Sequence, residues 1–362
     1  MMTKVTSLTL ASLKNDSLEV TCLYYSRRVN SSDVYETILY YLRVHVMFAL
    51  TLVGLVGNSL TLPVLSQELK TSSRSTGFLL KTLASVDSMV LVSFAWYYPL
   101  PALYKYLGIL ESYYQFHQII ERYLWAAIWF AKSFAVYMIM AVAVDRYIAV
   151  CKPLRAKSLC SVKNAQRTVI SLMGFSFAYN LPNIWYFDLI YVSDPCSVSS
   201  RPLSVKSHLY THNEYFDLVY TILYAIFSFT APVVVLTFTG ICLIRSLRQA
   251  TAGFSRVAGN DKRQRDMNAV TFRVVLVVIV FLVLEAPSNA FFCLFAVINH
   301  AGLTLDLDFK IVYKIVGMCA ILTTVNSSVN FFIYFMTGAN FRRSFWKLLA
   351  SLTRRKKPLS MN

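Results

Sequence analysis

Three charged residues stand alone inside long apolar runs of this 362-residue chain. Asp87 is the one formal charge between Lys81 and Lys105, Lys132 the one between Arg122 and Asp145, and Glu285 the one between Arg273 and Asp306. A charge at mid-bilayer costs roughly 2.5–3.5 kcal/mol on insertion scales, so each should have a partner or a task. Carboxylates and an amine in lipid can relay protons, hold a small cation, meet a charged ligand or pair with one another. The relay reading makes the chain a membrane transporter or proton-coupled carrier using Asp87, Lys132 and Glu285. Against it, neither the inverted repeats nor the paired broken helices that transporters often show can be found. No metal-ligand cluster, phosphate-cradling loop or nucleophile–base set is visible, so no enzyme activity is expected.

The elements that must position these residues follow from composition. The chain is 56% hydrophobic and 15% charged, against roughly 25% charge in a typical soluble domain. That excess of apolar surface must face lipid. The net charge of +17 invites a nucleic-acid reading, but the basic residues sit in short segments between apolar runs. That pattern fixes membrane orientation, so the expected partner is the lipid bilayer and not nucleic acid. A crossing helix needs about 20 mostly apolar residues. The charge-free stretches within Arg43–Glu68, Arg167–Asp188, Asp217–Arg245 and Lys314–Arg342 read as spans one, four, five and seven. The runs holding Asp87, Lys132 and Glu285 are spans two, three and six. The predicted fold is an all-α membrane protein, a seven-transmembrane helix bundle over 43–337.

Seven crossings place the termini on opposite sides. With the C-terminus inside, most of the 35 Lys and Arg fall in the inner segments, where the acids are only Glu68, Asp145, Asp261 and Asp266. The expected protein is therefore a multi-pass plasma-membrane protein with an extracellular N-terminal tail, 1–42. The sequons at Asn15 and Asn30 fall in that tail, where glycosylation can occur; the one at Asn326 lies inside span seven, where it cannot. The first thirty residues include Lys14, Asp16, Glu19, Arg27 and Arg28, so span one is expected to direct its own insertion. Phe341, Phe345, Leu348, Leu349 and Leu352 recur at helical spacing among Arg342, Arg343 and Lys347. Residues 338–353 thus read as a short amphipathic helix on the inner leaflet. In the basic tail 354–362, Arg354–Lys357 would attract anionic lipid, or would simply fray. Of seven Cys, Cys151 and Cys160 face the cytosol, and Cys242 and Cys319 lie in spans. Cys22 and Cys196 lie outside, with Cys293 near the outer end of span six. A Cys22–Cys196 bridge is the expectation, although spacing does not set connectivity.

Several local patterns, in order and each on its own span, match one family. They are Gly57-Asn58, Leu83-Ala84-Ser85-Val86-Asp87, Asp145-Arg146-Tyr147 followed by Ile148 to Leu154, Pro232, Phe281 with Pro287, and Asn330-Phe331-Phe332-Ile333-Tyr334. Over roughly residues 43–350 the chain resembles the rhodopsin-type G-protein-coupled receptors. Pro153 to Cys160, Tyr179-Asn180-Leu181-Pro182 and Ser327 to Phe331 make it most similar to invertebrate FMRFamide-type neuropeptide receptors. The resemblance implies an extracellular peptide ligand, a heterotrimeric G protein as inner partner, and no cofactor beyond a sodium ion at Asp87. It implies that Asp145 pairs with Arg146 at rest, with Asp266 as a second partner, and that freed Arg146 meets the G protein. The plain alternative is an interfacial Arg that snorkels to water. Tyr147, Asn330 and Tyr334 belong to the same activation machinery. Pro287 would be the hinge of span six, or else a static kink. Asn58, Asp87, Asn326 and Asn330 would form the sodium pocket, or a hydrogen-bonded packing node; Ala135 stands where a sodium-binding Ser is common.

The departures from the family are specific. The span-four Trp is missing, Glu121 takes the place of the Cys that opens span three, and Gly240 replaces the Tyr after Pro232. Glu285 replaces the span-six Trp, and Phe331 the span-seven Pro. Ile128 occupies the position of the monoamine receptors' Asp, and Thr324 that of a light sensor's Lys. Lys132 is about 21 Å above Arg146, and Glu285 about 18 Å above Arg273, at 1.5 Å per residue. In this family those two helices touch, so a buried Lys132–Glu285 salt bridge is expected at the floor of the ligand cavity. The rival reading gives Glu285 to a cationic ligand. Outer acids such as Glu121 and Asp188 would attract a basic peptide. With Arg122, Arg201 and Lys206 interspersed, each is more simply a solvated surface group.

Overall fold

The computed structural model describes residues 37–38, 40–68, 74–193, 200–209, 214–254, 262–300 and 309–354. Asn15, Asn30, Cys22 and Cys196 lie outside these, so neither the sequons nor the proposed bridge can be placed. The described chain forms a bundle of seven long helices. Span one is α1, Met47–Glu68, entered through a π-helical turn at Tyr41–Val46. Span two is α2, Arg74–Tyr97; a short α3, Pro99–Leu107, follows it. Span three is α4, Glu111–Cys151, and α5, Pro153–Leu159, lies beyond its end. Span four is α6, Val162–Asn180. Span five joins α7, Glu214–Tyr224, through a π-helical stretch at Ala225–Thr230 to α8, Ala231–Phe254. Spans six and seven are α9, Lys262–His300, and α10, Phe309–Thr337; α11, Ala339–Arg354, follows.

Among the described residues, six of these helices are long and apolar enough to cross a membrane. Span four is not among them: it has 19 residues, and Lys163, Asn164, Gln166 and Arg167 occupy its first turns. Ser161 caps it, its side chain accepting from the Asn164 backbone N–H at 3.2 Å. Its other end tightens into a 3-10 turn at Leu181–Trp185, where Pro182 lacks the N–H an α-helix requires.

Two features differ from the sequence reading. Span three was expected within Arg122–Asp145 but runs for 41 residues, about 60 Å at 1.5 Å per residue. It therefore projects well past a hydrocarbon core of about 30 Å. The second is a β-hairpin in what was expected to be an all-α chain. Strand β1, Phe187–Ser193, pairs antiparallel with β2, Ser200–Lys206, in the register Phe187↔Lys206 to Ser193↔Ser200. We call its end of the bundle the hairpin end and the opposite one, which carries Arg146, the basic end.

Span three is the hub and packs against spans two, four, five and six. Spans one, two and seven close against each other through small residues. A Cβ on Gly54 would fall 2.6 Å from Leu91 and 2.6 Å from the Ser328 hydroxyl. One on Gly57 would fall 2.9 Å from Phe331. In lipid there is little hydrophobic drive between helices, so close backbone approach supplies much of the attraction. Helix α11 packs on spans one and seven through Phe341 and Phe345, with Trp346 exposed. Its boundaries differ from the expected 338–353 by one residue at each end.

We predict that Gly54→Ala lowers the midpoint of thermal unfolding in detergent, because overpacking typically costs about 1–3 kcal/mol. Gly174→Ala in span four, where a Cβ meets nothing within 4 Å, should leave the midpoint unchanged. Equal behaviour of the two variants would contradict the packing argument.

Candidate functional site

The hairpin end holds a buried ion pair beneath aromatic walls. Lys132 on span three and Glu285 on span six lie 3.2 Å apart, Nζ to Oε2, and both side chains are buried. The Lys132 ammonium also stands 5.7 Å from the Trp129 ring and 6.0 Å from that of Phe292, within cation–π range. Ile128, one turn above, is buried and brings no polar group. Around the pair, the Tyr224 hydroxyl donates to Asn289 Oδ1 at 3.0 Å, linking spans five and six. Tyr137 of span three donates to the Phe227 carbonyl at 3.1 Å. That carbonyl lies in the π-helical stretch, where the widened turn loosens the helix's own hydrogen bonding. Trp129, Lys132, Tyr137, Tyr224 and Asn289 help to enclose a cavity of about 10 Å³, the space of a single water.

The hairpin covers this floor. Trp125 stacks on Tyr186 at 5.3 Å and meets Phe187 edge-on at 5.6 Å, just before and at the start of β1. Gln118 Oε1 accepts from the Ser204 backbone N–H of β2 at 3.1 Å. Glu121, expected as a solvated acid, is instead half-buried and accepts from the Tyr97 hydroxyl at 2.9 Å. Where the family places a covalent bridge, this chain ties the loop to span three through Gln118 and Trp125. Sequence reading missed both residues, because the partner of Gln118 is a backbone group in a hairpin that was itself not foreseen.

A second polar cluster lies among spans one, two and seven. Asn330 Nδ2 donates to Asp87 Oδ2 at 2.6 Å, and Asn58 Nδ2 to the Ser327 carbonyl at 3.1 Å. Asp87, Asn58 and Asn326 are buried. Oδ1 of Asp87 and Oδ1 of Asn58 are buried acceptors with no hydrogen-bond donor among the described residues. One carboxylate oxygen and one amide oxygen suit a small, hard monovalent cation in charge and in ligand type. Ala135 contributes no hydroxyl to such a site. Among the described residues no group of three His, Cys, Asp or Glu gathers that could hold a metal ion.

At the basic end, Arg146 Nη2 donates to Asp145 Oδ2 at 3.1 Å. Asp145 is also held from span two: the Ser75 hydroxyl donates to Oδ1 at 2.9 Å and the Thr76 hydroxyl to Oδ2. The carboxylate therefore has two hydroxyl donors besides Arg146. Cys160, beyond α5, donates its thiol to the Asp145 carbonyl at 3.5 Å. Burial, reinforced by the Asp145 charge, pushes that thiol up to about 11, so it stays protonated and unreactive. Tyr147 packs on Phe238 of span five at 5.7 Å, and Tyr334 is buried against Phe341. Pro287 lies inside span six, two residues above Glu285. Asp266 lies in the first turns of span six, and its side chain is outside the described residues.

One basic-end contact was not foreseen. Arg273 of span six is 2% exposed, and a Cβ on Gly338 would fall 2.7 Å from its Nη2. Gly338 links span seven to α11, where the Tyr334 carbonyl accepts from the Gly338 N–H at 3.0 Å. Arg342 caps the Phe335 and Met336 carbonyls, both at 2.9 Å. Guanidinium groups there meet the negative end of the span-seven helix. A Cβ at 338 would crowd both the Arg273 guanidinium and the Tyr334 carbonyl, each at 2.7 Å.

The chain matches the family described as the 7 transmembrane receptor (rhodopsin family) over residues 57–334. It is similar to the FMRFamide receptor of Drosophila melanogaster, 27% identical over 293 residues, covering 81% of this chain and 51% of that one. It is similar also to the Sex peptide receptor of Drosophila melanogaster, 26% identical over 333 residues, 86% of this chain and 73% of that one. Somatostatin receptor type 5 of Rattus norvegicus is 25% identical over 299 residues, 82% and 74% of the two chains. The chain spans about half the length of the FMRFamide receptor that it matches.

Removing one partner of a buried ion pair typically costs about 3–5 kcal/mol, because the other is left uncompensated. Lys132→Ala and Glu285→Ala are each expected to lower surface expression and the unfolding midpoint. The exchange Lys132→Glu with Glu285→Lys should restore part of the loss; only part, since the relocated ammonium leaves the Trp129 and Phe292 rings. A double exchange no better than either single variant would count against the pair.

Proposed function

Since this chain belongs to the rhodopsin family of seven-transmembrane receptors, we propose that it is a plasma-membrane receptor for an extracellular neuropeptide and that it activates a heterotrimeric G protein. The reading puts the basic end and α11 in the cytosol and the hairpin end outside, following the bias of Lys and Arg. Family membership favours a receptor over the transporter reading of Asp87, Lys132 and Glu285.

The observation that carries the proposal is the placement of the Lys132–Glu285 pair. It joins spans three and six, the two helices that carry Arg146 and Arg273 at their other ends. A ligand group that takes either charge must replace the partner it displaces. A basic peptide side chain would take Glu285, and an acidic group would take Lys132. Either exchange loosens span six from span three just below Pro287, whose missing N–H lets the helix bend. The basic-end half of span six then swings outward, withdrawing Arg273 from Gly338 and opening a pocket beside Arg146 for the G protein. The ligand drives this only by binding the open form more tightly. The curated relatives include receptors named for FMRFamide and for sex peptide, which favours a peptide. At Asp87 a sodium ion would be held by Asp87 and Asn58 with Asn326 and Asn330 beside them, and would supply a positive charge that neutralises the buried carboxylate.

Guanine-nucleotide exchange in membranes carrying the protein should rise on adding a member of an amidated-neuropeptide panel. Arg146→Ala should abolish the rise at unchanged surface expression. Ligand-driven substrate flux without nucleotide exchange would sink the proposal. Arg273→Ala and Gly338→Ala remove one contact from two sides and should both raise ligand-free exchange. Losing ~1 kcal/mol of preference for the closed form corresponds to roughly five-fold.

A further inference from the structure

Between the basic-end halves of spans five and six lies a cavity of about 670 Å³. It is lined by Ile244, Leu247, Phe272, Val275, Leu276 and Ile279, with Arg248 at its basic end. It opens to the side of the bundle: Phe272 is 47% and Ile279 42% exposed, and Arg248 is exposed. Its depth follows from a neighbouring contact. Ser246 Oγ lies 3.2 Å from Cys151 Sγ, at the last residue of span three, so Arg248 lies level with the basic end of that helix. From Phe272 to Ile279 the groove climbs about 10 Å along span six toward the hairpin end, at 1.5 Å per residue.

We propose that this groove is a binding site for an anionic glycerophospholipid of the cytosolic leaflet, one acyl chain lying between spans five and six and the headgroup phosphate held by Arg248. The leaflet assignment rests on the orientation given under Proposed function. Two observations select this occupant. The walls are hydrocarbon throughout and face the bilayer, where acyl chains are the available apolar segments. The rim is cationic: Arg248 lies one helical turn beyond exposed Arg245, and among the described residues neither forms an ion pair. A guanidinium at the headgroup plane binds phosphate through paired N–H donors. A net negative lipid keeps that attraction, whereas a choline headgroup offsets it with its own positive charge. Each basic residue near the surface favours an anionic lipid by about five-fold.

The test uses the full chain in lipid nanodiscs with spin-labelled phosphatidylserine or phosphatidylcholine, and measures the fraction of label immobilised on the protein. Phosphatidylserine should be retained about five-fold over phosphatidylcholine. Arg248→Gln should abolish the preference, and Arg248→Lys should keep most of it. Leu276→Trp, which fills the groove, should reduce the immobilised fraction of both lipids. A variant with Arg354, Arg355, Lys356 and Lys357 neutralised controls for attraction by the tail. An unchanged preference in Arg248→Gln, or its complete loss in the tail variant alone, overturns the proposal. Displacement of the label by inorganic phosphate would assign the site to a free anion instead. A benzophenone side chain at Phe272 should add a lipid mass on illumination; cross-linking to a second copy or to another protein would give the groove to that partner and overturn the lipid. These readouts need neither ligand nor G protein, so their failure leaves nucleotide exchange untouched, and failure of nucleotide exchange leaves them standing.

Discussion

The hydrocarbon interior offers no water to a polar group, and the rest of this structure follows from that constraint. A buried charge must find its complement on another helix, so each solution ties two spans together. Lys132 and Glu285 bind span three to span six, Asp87 and Asn330 bind span two to span seven, and Asp145 is shared between spans two and three. Arg273 finds the end of span seven. Apolar packing alone would permit many relative rotations of such helices. The few buried polar contacts restrict them, and they are also the contacts that a change of state must exchange.

The exchange has a mechanical layout. Span three runs the full depth of the bundle and carries two charged groups about 21 Å apart, Lys132 midway along it and Arg146 near its basic end. Span six faces it with Glu285 at one level and Arg273 at the other. Pro287 lies just beyond Glu285, so span six is weakest beside the charge that pins it. Asp145 is held by the Ser75 and Thr76 donors as well as by Arg146, so its place in the cluster does not depend on Arg146 alone.

Much of this was legible in the sequence, for a physical reason. Span count follows from the absence of charge over about 20 residues, and a lone Lys and a lone Glu at equal depth leave few partners but each other. Span four was legible from the charge-free stretch between Arg167 and Asp188, although the helix itself is Val162–Asn180, with Lys163 and Arg167 in its first turns and its end eight residues short of Asp188. Three things were not legible. The extension of span three beyond the bilayer depends on packing against α3 and the hairpin, where polar residues such as Glu111, Gln115 and Gln118 are at home. The hairpin is short and two-stranded, and the unbroken apolar run Leu189-Ile190-Tyr191-Val192 hides its alternation. The seating of Arg273 depends on the missing side chain of Gly338, 65 positions away, and no local pattern announces a relation of that kind.

The fastening of the hairpin to span three has a dynamic consequence. Gln118 and Trp125 contribute one amide hydrogen bond and two ring contacts to it, beside the Glu121 carboxylate at Ser204, and none of these is covalent. A neutral hydrogen bond contributes about 1 kcal/mol net and an aromatic contact a comparable amount, so thermal fluctuation can undo them singly. A cover attached in this way to the helix that carries Lys132 can lift and reseat, giving a bulky flexible guest a way past the rim that a covalent strap at that point would deny. Entry through such a hatch trades rigidity of the empty vestibule for freedom in the shape of what enters.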